Sequence, residues 1–400
     1  MSMPAVRLDS RSTLPEDHAR ATLVGRAWFS GKHAGPTPVT VRDGRVYDLA
    51  RVAPTTSALL DLDDPASAIR SAVTSGAATP VCGLEELLAA TPCASRTADR
   101  PWLASPPDLQ ALKACGVTFV SSMLERVIEE QAQGDPDRAE TIRSSLGAEI
   151  GTSLSSVRPG SPDAAKVKAS LFARGMWSQY LEVGIGPDAE VFTKSQPMSA
   201  VGTGSDVGIR PDSHWNNPEP ELVLAVSSHG RVVGASLGND VNLRDFEGRS
   251  ALLLGRGKDN NGSCAIGPFV RLLDEHFGID DLRRLEIRIR IEGSDGFVLE
   301  GRSDLAKISR DPLDLVAQCV NRHHQYPDGL MLFLGTMFAP TQDRDQPGQG
   351  FTHRIGDVVT ISAPALGSLA NRVDHTDCIA PWTFGTRQLM RTLAARGLLA

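Results

Sequence analysis

Glu219 and Glu221 lie two positions apart in the run Pro218-Glu219-Pro220-Glu221-Leu222-Val223-Leu224-Ala225-Val226, which reads as a strand. Side chains at i and i+2 of a strand leave the same face, so the two carboxylates stand side by side. Such a pair repels itself unless a cation or a proton occupies the gap. Strand pairing places a third acid. Ser227-Ser228-His229-Gly230-Arg231 is the turn-like stretch between two apolar runs, with a glycine to supply positive φ. A two-residue loop at His229 and Gly230 sets Glu219 opposite Asp240, and opposed residues of an antiparallel pair share a face. A slip of one residue would turn Asp240 away. Three hard oxygen donors suit Mg²⁺, Mn²⁺ or Ca²⁺ rather than zinc.

An isolated Glu-x-Glu on a strand is more often a solvated edge face. The flanks here differ from that pattern. Trp215-Asn216-Asn217-Pro218 precedes the pair, and Gly238-Asn239-Asp240-Val241-Asn242-Leu243-Arg244-Asp245 surrounds the third acid. Polar residues this dense beside apolar strands point to a lined cleft.

The chain that must position these acids has 400 residues and is 41% hydrophobic, enough for a large core and one or two domains. Its formal net charge of −7 and the lack of a long basic block argue against nucleic acid and anionic membranes as partners. No apolar run is long enough to span a bilayer, and Met1-Ser2-Met3-Pro4 lacks the apolar core of a signal peptide. The cysteines at 82, 93, 115, 264, 319 and 378 contain no C-x-x-C pair, which argues for reduced thiols in a cytoplasmic setting and against zinc or a disulfide framework.

Residues 1 to about 20 are polar and expected to be loosely ordered. Ala21 to Phe29 and Pro38 to Arg42 read as strands, and Asp43-Gly44 turns into a third at Arg45 to Leu49. Thr56 to Leu62 and Leu84 to Ala90 carry helical signals. The Pro-rich stretch Trp102 to Pro107 reads as a linker between a small N-terminal domain, residues 1–105, and a catalytic domain, residues 106–400. Helices are expected over Ser122 to Gln133, Asp137 to Ile150 and Asp163 to Ala173, with Gly134 and Gly151 as stops. From Gln179 short strands dominate. Glu286 to Glu292 alternates cleanly and turns at Asp295-Gly296, Asp311-Pro312 opens one helix, and Thr386 to Ala395 forms the last. Many strands, few helices and no β-α-β alternation predict an α+β fold, its catalytic part a mixed β-sandwich or β-roll beside a smaller N-terminal α/β domain.

Asn217-Pro218-Glu219-Pro220-Glu221, Gly238 to Asp245, Lys258-Asp259-Asn260, Gly335-Thr336 and Leu366 to Val373 occur in the order found in the fumarylacetoacetate hydrolase superfamily. The chain resembles that superfamily over roughly residues 110 to 385. It is most similar to the long branch of 2-keto-3-deoxy-pentonate dehydratases through Gly116 to Phe119, Trp177 to Val183, Asp245 to Ser250, Gln325 to Gly329 and Pro347 to His353. The resemblance implies that Glu219, Glu221 and Asp240 bind Mg²⁺ or Mn²⁺, in agreement with the hairpin pairing. It implies that Lys258 faces the substrate, that Thr336 touches its carboxylate or keto group, and that Arg244 fills the slot of an arginine near the substrate. It also implies a homodimer or homotetramer. Many hydrolases of the superfamily carry a His-x-x-Glu pair on a lid. Here Ser122 takes the histidine slot and Glu125 the glutamate slot, which disfavours hydrolysis. Thr118 stands where some hydrolases have a fourth acidic ligand.

The implied substrate is a small 2-keto acid, such as a 2-keto-3-deoxy-D-xylonate or arabinonate. Its C1 carboxylate and C2 ketone can chelate a hard cation. A cation there stabilises the enolate formed when a C3 proton leaves. Loss of the C4 hydroxyl and tautomerisation then give 2,5-dioxopentanoate. Glu125 is the expected proton-transfer group, against the plainer reading of an exposed acid spaced i,i+4 from Glu129 beside Arg126. Lys258 is expected to stabilise the developing charge, and Ser122, Arg244 and Thr336 to contact substrate. Arg244 could equally pair with Asp245 or Glu247. His214, close before Glu219, is a weaker candidate. His353 reads as structural, and His323 and His324 are expected to close a helix C-terminus, where cations are favoured. Two other functions compete with dehydration: an acylpyruvate or diketo-acid hydrolase on the same scaffold, and a non-enzymatic sugar-acid sensor.

Overall fold

The computed structural model describes residues 6–31, 34–133, 135, 138–139, 141–142, 157–173, 175, 177–338, 340–345 and 350–399. The expected helix Asp137 to Ile150 lies mostly outside them, as do Pro347 to Gln349.

The fold is α+β, with two principal mixed sheets. The larger runs in the order Thr79–Gly83, Arg45–Asp48, Gly35–Arg42, Leu23–Phe29, Cys264–Leu272, Val232–Asp240, Pro220–Val226, Leu330–Phe333, Ala111–Gly116 and Glu190–Ser195. The smaller runs Val298–Asp304, Glu286–Glu292, Val358–Ala363, Gly367–His375 and Asp206–Ile209. Leu222, Leu224, Ala235 and Leu237 from the first sheet and Ile287, Ile289, Ile361 and Leu369 from the second belong to one buried core cluster. Opposite faces of the central strands serve different layers. Val223, Ala225, Ile266 and Phe333 pack instead with Leu59, Ile69 and Leu49 of the N-terminal segment. A strand buried on both faces must read as an unbroken apolar run, and Leu222 to Val226 does.

The hairpin that sets the acids has the expected register, reached by a different route. Pro220 pairs with Asn239, Glu221 with Gly238 and Leu222 with Leu237, and the Asp240 amide donates to the Glu219 carbonyl at 3.0 Å. The turn is wider than two residues: the Ser227 amide reaches the Arg231 carbonyl at 2.9 Å and Val226 pairs with Val232. A bulge between Ala225 and Val226 absorbs the difference.

Three expectations change. Trp102–Ala104, taken as part of a linker, is a strand paired with Leu23–Phe29, with Trp102 opposite Trp28. Those N-terminal strands are hydrogen-bonded into the large sheet, Leu23 opposite Arg271 and Val24 opposite Val270. Gln179–Ile185, expected to begin a run of strands, is a helix capped by the Ser178 hydroxyl on the Tyr180 amide. The helix opened by Asp311 and Pro312 ends at Cys319, so His323 and His324 fall beyond its last turn, in a short bridge between Asn321 and His324. All six cysteines are unpaired, and among the described residues no helix is long and apolar enough to cross a membrane.

Gly238 faces Glu221 across the hairpin, and a Cβ there would stand 2.3 Å from the Phe333 ring and 2.5 Å from Val223. Gly238→Ala should therefore lower stability by ~1–3 kcal/mol through overpacking. The measurement is a drop in the urea midpoint at unchanged slope, and an unchanged midpoint would show that the floor beneath the acids yields freely.

Candidate active site

Glu219 directly precedes the strand that carries Glu221, and Asp240 ends the partner strand. The register brings one oxygen of each carboxylate within 4.8 Å of the others. All three are buried, at 7%, 2% and 1% exposure respectively. The expected trio is assembled, and it is not a solvated edge.

Buried like charges need compensation. Lys258, closing the helix Leu254–Lys258, places Nζ 2.5 Å from Glu219 Oε2 and 3.0 Å from Asp240 Oδ2. Lys194 approaches from behind, Nζ 2.8 Å from Asp240 Oδ1, and also donates to the carbonyls of Val241 and Lys258. Arg126, on the helix Val120–Ala132, reaches Glu219 Oε1 at 2.9 Å, Glu129 at 2.8 Å and Glu247 at 2.5 Å. Asn242 Nδ2 donates to Glu219 Oε1 at 3.1 Å. Burial works against the charge on Asp240, but the two lysines outweigh it and hold this carboxyl below its ordinary value. Burial, together with Asp240 and Glu219, pushes Glu221 well above its own. Burial also raises Glu219, against the pull of Lys258 and Arg126.

Gly335 and Thr336 enter the site through the backbone. The Gly335 amide donates to Glu221 Oε2 at 2.6 Å. Its φ of +83° is left-handed, and a Cβ would stand 2.2 Å from Thr118 Oγ1, so only glycine fits without strain. Thr118 itself donates to the Leu334 carbonyl at 2.6 Å and supports that turn. Thr336 is buried, with Oγ1 accepting from the Phe338 amide at 3.1 Å.

Two adjoining cavities result. One is lined by the three acids with Lys258, Glu190 and Phe192. The other is lined by Glu125, Glu129, Arg244 and Asn217. Ser122, Arg126, Glu219 and Thr336 form the wall common to both. The structure thus gathers Ser122, Glu125, Arg244, Lys258 and Thr336 around the acids. Arg244 pairs with neither Asp245 nor Glu247. Its guanidinium grips Glu129 at 2.6 and 2.7 Å, touches Glu125 at 3.4 Å and stacks 4.2 Å over Trp215. Asp245 instead accepts from Ser213 and the His214 amide. Glu125 and Glu129 are not exposed helical acids; their side chains are 14% and 5% exposed. Ser122 Oγ is occupied at its own helix start, donating to the Phe119 carbonyl at 2.9 Å. His214 is exposed on a separate surface cleft with Asp212 and Arg256, away from the acids. His353 is buried against Asp357 at 3.4 Å, where burial holds its pKa down.

Five side chains of this cluster were given no site role by the sequence: Arg126, Glu129, Glu190, Lys194 and Glu247. A signal existed for two of them. Glu190, Phe192 and Lys194 alternate on one strand, which puts two charges and a ring on one face. Arg126 and Glu129 are a local i,i+3 pair on one helix, and Glu247 joins them only when that helix meets the segment Arg244–Glu247.

The donor set fits a hard divalent cation. Five carboxylates (Glu190, Glu219, Glu221, Asp240 and Glu247) face three cationic side chains (Arg126, Lys194 and Lys258), so the ionised cluster carries excess negative charge. All donors at the trio are carboxylate oxygens, which favours Mg²⁺ or Mn²⁺ over softer metals.

Arg126→Ala strips three buried carboxylates of a partner and should cost ~3–5 kcal/mol of stability. Arg126→Lys, which keeps the charge but not the fork, should recover part of it. Chemical denaturation of both variants checks this, and a loss under ~1 kcal/mol for Ala would mean that water reaches these groups.

Residues 178–374 match the family model described as fumarylacetoacetate (FAA) hydrolase C-terminal. A probable 2-keto-3-deoxyxylonate dehydratase of Haloferax volcanii is 32% identical over 198 residues, covering 50% of this chain and 64% of the relative. A 2-dehydro-3-deoxy-D-arabinonate dehydratase of Saccharolobus solfataricus is 32% identical over 184 residues, covering 46% of this chain and 58% of the relative. The chain thus spans about three fifths of the length of these relatives. Among solved structures, a 2-keto-3-deoxy-D-arabinonate dehydratase complexed with magnesium and 2,5-dioxopentanoate superposes with a TM-score of 0.59 at 21% identity, covering 88% of this chain and 99% of that one. The matched segment carries all three acids and Lys258, and the fold agrees with that of the solved neighbour over most of both chains: residues 178–374 form a fumarylacetoacetate hydrolase family domain.

Proposed function

We propose that this protein is a hydro-lyase that dehydrates a 2-keto-3-deoxy-pentonate to 2,5-dioxopentanoate, with Mg²⁺ or Mn²⁺ held by Glu219, Glu221 and Asp240. The observation that carries the reading is the buried acid trio with Lys258 across it, opening into a second cleft lined by Glu125 and Arg244. The names of the two relatives support the same substrate class.

A bound divalent cation would supply Lewis acidity towards a substrate carbonyl, worth several kcal/mol. The protein's own groups do the rest. Lys258 offers a fixed positive charge to the oxygen that becomes anionic, in a site that largely excludes water. Thr336 and Ser122 form the wall along which the substrate chain lies. Arg244, already turned into the second cleft, orients the hydroxyl-bearing end. Glu125 handles the proton of the departing hydroxyl; its contact with Arg244 positions the carboxyl. A hydrolase must activate water, a task that histidine performs well at neutral pH. Ser122 stands in that slot with its hydroxyl bound to Phe119, which favours dehydration. This reading includes a cytoplasmic homodimer or homotetramer, which light scattering on the purified protein tests.

Incubation with a panel of 2-keto-3-deoxy-pentonates and Mg²⁺ should yield an aldehyde product and no pyruvate. Pyruvate with a second fragment would indicate the hydrolase instead, and no turnover on any member would end the dehydratase reading. Glu221→Ala should lower turnover ~1,000-fold through loss of the Lewis acid. Retention of full turnover in that variant would rule out a role for the cation.

A further inference from the structure

A second group of convergent donors lies outside the acid-lined cavity. His375 ends the strand Gly367–His375, and Asp377 and Cys378 follow in the turn. One ligand atom from each lies within 4.8 Å of the other two: an imidazole nitrogen, a carboxylate oxygen and a thiol sulfur. The chain has no paired-cysteine zinc motif, but this His-x-Asp-Cys run brings three different donors together at one turn.

The turn is held from several sides. The Thr376 amide donates to the Ile209 carbonyl at 2.9 Å, which ties it to the strand Asp206–Ile209. The Cys378 and Ile379 amides both donate to the His375 carbonyl, at 2.9 and 3.1 Å, and so fold the chain back on itself. Asn261 Nδ2 donates to the carbonyls of Thr376 and Ala380 at 3.1 and 3.2 Å, bracketing the turn. Ile379, next to the cysteine, is buried, and its Cδ1 would stand 3.0 Å from a Cβ at Gly208 and 2.4 Å from one at Gly262. The backbone that presents the donors is therefore ordered by folding, and a ligand meets little further ordering cost there.

The donor set differs in kind from the trio of Glu219, Glu221 and Asp240. Those acids offer hard oxygens only, whereas imidazole and thiolate suit zinc. His375 is half-buried, and Asp377 and Cys378 are exposed, so water can complete a four-coordinate shell. Asp374 is paired with Arg372 at 3.2 Å, while Asp377 has no ion pair among the described residues. Partial desolvation, then the Asp377 and Asp374 carboxylates, raise the Cys378 thiol above its ordinary value, and a metal binding there displaces its proton. We propose that His375, Asp377 and Cys378 form a second metal site, selective for Zn²⁺ and separate from the acid trio. The site stands on its own donors and does not depend on the dehydratase reading.

The test titrates Zn²⁺ into the reduced, full-length, Mg²⁺-saturated protein and compares wild type with His375→Ala and Cys378→Ser. Calorimetry should show a Zn²⁺ equivalent in wild type whose affinity falls about tenfold or more in each variant. Co²⁺ in place of Zn²⁺ should give a thiolate-to-metal charge-transfer band in wild type that Cys378→Ser abolishes, a signal that the all-oxygen trio cannot produce. Both substituted positions lie outside the hydrophobic core, so the metal-free variants should melt with wild type, and Zn²⁺ should raise the Tm more in wild type than in either variant. Zinc affinity within threefold of wild type in both variants overturns the site. So does a Co²⁺ adduct with no thiolate band, or a wild type that takes up no Zn²⁺.

Discussion

Three carboxylates forced together out of water are the constraint around which this molecule is organised. Each would be costly to bury alone, and their mutual repulsion adds to the cost. The protein keeps them by surrounding them with positive charge from separate places in the chain. Lys258 comes from a short helix after the hairpin, Lys194 from the last strand of the large sheet and Arg126 from the helix that follows Ala111–Gly116. Every one of these must arrive correctly for the cluster to be tolerable. The site therefore serves as a check on the fold as well as a place for chemistry.

That dependence explains the arrangement of the surrounding layers. The hairpin carrying the acids lies in the middle of the large sheet, with apolar packing on both faces. Central placement leaves the acids little freedom to swing into water. The glycines at 238 and 335 allow close approach, one by Phe333 and one by Thr118, so the floor and rim of the cavity are fixed by backbone as well as side chains. The helix Val120–Ala132 spans both cavities through Ser122, Glu125, Arg126 and Glu129, and its ion pairs to Glu219, Glu247 and Arg244 fasten it over the site.

The chemistry follows from the unequal treatment of similar groups. Asp240 is held ionised by two lysines, Glu221 is pushed towards its protonated form, and burial lifts Glu190 to about 7. Carboxyl groups that differ only in their neighbours thus favour different protonation states within one small chamber. A divalent cation at the trio would cancel the repulsion that the lysines and arginine leave uncompensated.

The acid trio was legible in the sequence because strand geometry is local. Alternation fixes which side chains share a face, and a hairpin fixes which residues stand opposite. Glu219, Glu221 and Asp240 follow from those two rules, although the actual turn reaches the same register through a wider loop and a bulge. The long alternating strand at Glu286–Glu292, the Asp311 cap and the final helix were legible for the same reason. Other features depend on contacts between distant segments, which no local pattern encodes. Trp102–Ala104 becomes a strand because Leu23–Phe29 offers an edge. Arg244 chooses Glu129 over its neighbours Asp245 and Glu247 because the helix Val120–Ala132 lies across it. Glu190 enters the chamber because Gly116, far away in sequence, leaves room. The chain's local rules set the acid trio, and only packing decided which charges surround it.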